Sequence, residues 1–160
     1  MEIFFELRVA LGGREPIAWV SLGQQKLISE KKISYTENWQ QQHWRSLVSA
    51  YKNSPYFEFF EHEFKSFYET QFEFLFDYNL QLLETILKIL RVKKIIQFTD
   101  TYELNPSNVS DYRELSELKQ ANINIESTPY YQVFDDKFGF KENVSCIDAL
   151  FNIGLDIKQL

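Results

Sequence analysis

Residues 35–60, YTENWQQQHWRSLVSAYKNSPYFEFF, decide how the chain divides. The stretch holds Trp39, Trp44 and His43 and the clearest helix signals in the sequence. Trp44, Leu47, Val48 and Tyr51 fall at i, i+3, i+4 and i+7, an apolar stripe that predicts a helix over 39–51. Asn38 is the expected N-cap, with Gln41 three residues on as a capping box prefers. Ser54-Pro55 then restarts the helical pattern, Ser54 as N-cap and Pro55 at the first helical position. This second helix carries an aromatic face of Tyr56, Phe57, Phe60, Phe64, Phe67 and Tyr68.

Toward the C-terminus a third helix is expected over about 69–90, separate from the second or continuous with it. It should be the central element, supplying Phe72, Phe76, Leu83 and Leu87 to the core. Lys88, Arg91, Lys93 and Lys94 gather where its negative end falls. Residues 94–98 read as a strand, 100–120 as a polar loop, and 122–127 and 129–134 as two further strand candidates. Residues 135–140 read as a turn. Ser145 caps a last short helix over 146–151, with Asp148 in the capping position and Gly154 as its stop. Toward the N-terminus, residues 3–22 read as a hairpin turning at Gly12-Gly13, and 31–35 as a short third strand. A β-like front followed by strong helical periodicity predicts an α+β fold in one domain spanning residues 1–160. A small mixed or antiparallel sheet would pack on a long central helix and shorter helices; a three-layer α/β arrangement is the alternative.

Composition narrows the function. At 160 residues the chain can bury a core without staples. Its 15 Phe and 9 Tyr predict a core built largely on rings. A net charge of -6 argues against nonspecific nucleic-acid binding and against anionic membrane surfaces. No apolar run is long enough to span a bilayer, so no membrane insertion is expected. A lone cysteine, Cys146, allows no intrachain disulfide and fits a reducing cytoplasm.

Three blocks carry a family resemblance: ENWQQQHWRSLVSAYKNSPYFEFFEHEFKSFYE, FLFDYNLQLLETILKIL and YYQVFDDKFGFKENVSCIDALFNIG. In order and spacing they resemble the WbqC-like protein family. The resemblance implies a bacterial protein, found partly among surface-polysaccharide (O-antigen type) biosynthesis genes. It implies an acyl- or aminoacyl-type transfer to an amino sugar, in the bacterial cytoplasm. It also implies a version lacking the family's usual N-terminal segment, since the chain starts at what resembles the later hairpin. The alternative is a non-catalytic relative that binds a small molecule or a protein.

His43 is the candidate catalytic residue, a neutral imidazole beside two indoles that can act as a general base. The plainer reading, packing at a helix–sheet seam, is what a histidine without a partner signal favours. Trp39, Trp44, Arg113 and Gln132 are the candidate substrate contacts for a sugar or acyl donor, with the indoles read as core first and stacking platform second. His62 reads as solvated. Cys146 reads as a small buried residue before it reads as an acyl-accepting thiol, and capping explains Asp148. Asp135-Asp136 reads as a turn, so no metal set is expected, and no pattern names a cofactor or an oligomeric state.

Overall fold

The computed structural model describes residues 28–98, 128–142 and 144–159. Helix α1 spans Trp39–Tyr51, the predicted range. Its start differs from a full capping box: the Asn38 side chain donates to the Gln41 side chain at 2.8 Å and does not bond a backbone N–H. The predicted stripe is buried at Leu47 and Tyr51 and half-buried at Trp44 and Val48; Trp39 and Ala50 complete the covered face.

The restart occurs two residues later than Ser54-Pro55 implies. Helix α2 spans Phe57–Glu69, and Tyr56 takes the N-cap position. Residues 52–56 form a turn in which the Ser54 N–H donates to the Tyr51 carbonyl at 2.8 Å. Ser54 is itself buried, and its hydroxyl has no hydrogen-bond partner among the described residues. Helix α2 turns Phe57, Phe64 and Phe67 inward, as its aromatic pattern requires.

Helix α3 spans Leu75–Ile89, so the long helix expected over 69–90 begins only after a break. Thr70 turns extended at φ -99, ψ 140. The Tyr35 hydroxyl then takes over the hydrogen bonds a helix would have given Phe72: it accepts from the Phe72 N–H at 2.7 Å and donates to the Phe72 carbonyl at 3.0 Å. Phe72 stacks on Phe67 with the rings 6° from parallel and meets Tyr78 edge-on at 5.3 Å. Long-range ring packing thus outweighs local helical propensity at this junction.

The buried face of α3 is Tyr78, Leu82 and Ile86, spaced i, i+4 and i+8. That corrects the expected phase: Phe76, Leu83 and Leu87 are only partly covered, and Phe72 contributes from the preceding connection. Short helix α4 spans Asp135–Phe138 where a turn was expected. Helix α5 spans Cys146–Ile153, with Ser145 Oγ accepting from the Ile147 N–H and Gly154 ending it at φ 63. A Cβ on Gly154 would lie 2.8 Å from the Tyr56 ring, so both the backbone angle and the close approach call for glycine. Short 3₁₀ pieces at Ile28–Glu30 and Gly154–Gln159 complete the described elements.

The core closes around Phe151, which is fully buried. Its ring meets Tyr51 at 5.3 Å, Phe57 at 5.1 Å and Phe64 at 5.4 Å. The Tyr56 N–H also donates to the Phe151 carbonyl at 2.9 Å. Helices α1, α2 and α5 therefore form one aromatic unit.

The described residues are mostly helical and contain no β-strand and no sheet, which overturns the α+β expectation and its α/β alternative. The predicted strand over 31–35 is reduced to a single antiparallel bridge between Lys32 and Phe74, flanked by Ile33 N–H to Glu73 carbonyl and Leu75 N–H to Lys31 carbonyl bonds. Residues 94–98 form no ladder, and 129–134 bond side chains of α5 and the Lys141 backbone. The β-rich composition of both segments is real, but a strand needs a neighbouring strand to pair with. The hairpin over 3–22, the loop over 100–120 and the strand over 122–127 lie outside the described residues.

Candidate functional site

Helix α1 places Trp39 and His43 one turn apart on the same side. Trp39 is buried and fixed by an Nε1–H bond to the Ser34 carbonyl at 2.9 Å. The half-buried His43 imidazole meets its indole edge-on, with centroids 5.4 Å apart. Tyr35 and Tyr78 pack on the same indole at 5.8 and 6.0 Å. Trp44 points to the neighbouring ring cluster, against Phe57 at 6.3 Å and Tyr68 at 5.5 Å. Trp39 and His43 are therefore brought together, while Trp44 is a half-buried part of the core wall.

Gln132 belongs to a second constellation. It is buried, and its amide group is fully engaged by protein. Nε2 donates to the Lys141 carbonyl at 3.0 Å and to Asp148 Oδ1 at 3.2 Å, while Oε1 accepts from the Lys141 N–H at 2.8 Å. Asp148 is the hub. Its Oδ1 also accepts from the Tyr130 hydroxyl at 2.8 Å, and its Oδ2 from the Tyr51 hydroxyl at 2.9 Å. Asn152, one turn on, donates to the Asp148 carbonyl and accepts from the Val133 N–H. A buried carboxylate with three donors is satisfied, and so stable where it is.

Capping therefore does not explain Asp148. The signal in the sequence was its setting: CIDALFNI is apolar all round, and a polar residue inside such a helix must find partners from elsewhere. Tyr51 and Tyr130, the partners, carry no pattern that separates them from the other tyrosines.

Burial, with the Asp148 charge beside it, pushes the Tyr51 hydroxyl well above the usual tyrosine range. Burial does the same to Tyr130, with Asp148 adding to the rise. Both phenols keep their protons as donors, so the cluster holds shape rather than moving protons. Burial also pushes the Cys146 thiol up, which disfavours the thiolate an acyl-accepting cysteine needs. Arg113 lies outside the described residues. Among the described residues no group of three or more His, Cys, Asp or Glu is placed to hold a metal ion. No helix among them is long and apolar enough to cross a membrane.

Comparison with known proteins gives one match. No curated protein and no solved structure resembles the chain at a significant level. The family model of the WbqC-like proteins matches residues 16–122, which takes in Trp39, His43, Trp44 and Arg113 and stops short of Gln132 and Asp148. The match covers more than half of the 160 residues and includes the first two sequence blocks, and on that ground the chain belongs to the WbqC-like protein family.

Proposed function

We propose that this WbqC-like protein transfers an acyl or aminoacyl group to an amino sugar during assembly of bacterial surface polysaccharide, with His43 as general base. The observation that carries the reading is the half-exposed His43 imidazole held edge-on by a buried, hydrogen-bonded Trp39. An apolar wall on one side and solvent on the other suit a base working near neutral pH. In the step, His43 takes a proton from the acceptor amine or hydroxyl as its N or O attacks the acyl carbonyl. The bond from that carbonyl to the donor's leaving group breaks, and the imidazolium returns the proton to the leaving group. Buried Trp39 backs the His43 ring, the partly exposed Trp44 offers an indole edge to the sugar, and Arg113 offers a guanidinium for a donor phosphate or carboxylate.

A second reading, a relative that binds without catalysis, is favoured at one position. Gln132 is spent on Lys141 and Asp148, so its part is support for the fold unless the cluster opens.

The test is transfer followed by mass. Purified protein is offered acyl and glycyl thioesters with an amino-sugar nucleotide as acceptor. The acceptor should gain the acyl mass. His43→Ala should slow this by about 10²–10⁴-fold. The same variant should shift unfolding stability by less than about 1.5 kcal/mol. No mass gain with any donor supports the binding reading instead, and a gain undiminished in the variant removes His43 from the chemistry.

A further inference from the structure

After α3 the chain doubles back. The carbonyls at its end are taken up by Leu90, Arg91 and Val92 N–H groups, and Arg91 sits at φ 52, the left-handed conformation that reverses the path. Residues 92–98, which carry no regular secondary structure, then return along α3 until Phe98 meets Phe76 edge-on at 5.4 Å. Between helix and returning segment runs an open groove of about 610 Å³, lined by Glu84, Leu87, Lys88, Lys93, Lys94 and Phe98 among others. That is ample for a small organic ligand.

Charge is unevenly placed here. The chain carries a net -6, yet four cations fall between residues 88 and 94. None of Lys88, Arg91, Lys93 and Lys94 joins an ion pair among the described residues, although Lys32, His62 and Lys65 each do. Complementing the helix dipole accounts for Lys88 and Arg91 but not for Lys93 and Lys94, because that field fades within the last turn. At the other end of the groove, Phe98 is 57% exposed, with its contact to Phe76 leaving much of the ring open.

We propose that this groove binds a nucleoside diphosphate, its phosphates on Lys88, Lys93 and Lys94 and its base against Phe98. Clustered ammonium groups match a multiply charged diphosphate better than a single anionic group, and lysine serves phosphate as a point charge. An exposed ring beside them accepts any base, since every base has a π-face. Glu84, at the rim, can accept from a ribose hydroxyl or an exocyclic amine.

The experiment is titration of the purified chain with ADP, UDP and pyrophosphate by calorimetry at low and moderate salt. Both diphosphates should bind saturably, more weakly as salt rises. Lys93→Ala/Lys94→Ala should weaken them at least about tenfold, while Lys52→Ala/Lys65→Ala, two exposed lysines elsewhere, should not. Phe98→Ala should weaken both diphosphates about tenfold and leave pyrophosphate unchanged. All five positions are exposed, so circular dichroism should show each variant folded. No saturation by about 5 mM overturns the proposal. So does equal loss in the control pair, no loss in the Lys93/Lys94 pair, or a Phe98→Ala variant that binds as the parent does. Tighter binding to phosphatidylglycerol vesicles than to either nucleotide would also overturn it. Binding is read without turnover, so a failed transfer assay leaves this site standing and a failed titration leaves the transfer chemistry standing.

Discussion

Asp148 shows how a single buried carboxylate can join separate parts of a chain. Tyr51 reaches it from α1, Tyr130 and Gln132 from the segment before α4, and it stands itself on α5. Removing one donor leaves a charged acceptor short of a partner in a buried place. Tyr51→Phe should cost about 1.5–3 kcal/mol, the usual range for a hydrogen bond to a charged group. Tyr130→Phe should cost less, because Tyr130 is only half-buried and water can reach the vacated oxygen. Urea midpoints for the two variants check the order; equal losses would mean that exposure does not set the cost. The sequence shows that Asp148 is anomalous but not which partners it takes. They lie 97, 18 and 16 residues away, and no local pattern encodes such distances.

At the scale of elements, helix α1 was legible to its terminal residues, because a polar flank follows and precedes a single stripe. Helix α3 was legible as a helix but not in its phase. LFDYNLQLLETILKI is apolar on several sides, so more than one face satisfies a helical period. Packing selects Tyr78, Leu82 and Ile86, leaving Leu83 half-buried. Leu82→Ala should therefore cost about 2–5 kcal/mol and Leu83→Ala clearly less, measured by denaturant unfolding. A reversed order would restore the face first read from the sequence. The strands failed for a different reason. Residues 94–98 and 129–134 have the composition of strands, but pairing is a property of two segments, and the second is not written in the first.

For the molecule as a whole, the tyrosines set an alkaline limit. Burial raises Tyr51, Tyr78 and Tyr130 above the usual range, and pushes Tyr68 up to about 12. In the unfolded chain each titrates near pH 10. Below that pH both states hold the protons and stability is complete. Above it the unfolded chain releases protons that the folded chain keeps, so stability falls as pH rises, for Tyr68 until about 12. Each such group contributes a slope of about 1.4 kcal/mol per pH unit. Urea midpoints taken from pH 8 to 11 should be flat to about 10 and then drop, with Tyr51→Phe dropping less steeply. A flat profile to pH 11 would mean that these phenols are not held protonated.

The seat of Phe151 has a bearing on how the protein is made. Phe57 and Phe64 rest on a ring supplied by α5, and Tyr51 waits for an acceptor 97 residues further on. Ribosomes add about 5–20 residues per second, so that partner follows on the order of 5–20 s later. Through that interval α1 and α2 emerge with their ring-bearing faces uncovered. The nascent chain thus passes through a sticky stage that ends only when α5 arrives, and a holdase that favours aromatic surfaces would find its target there.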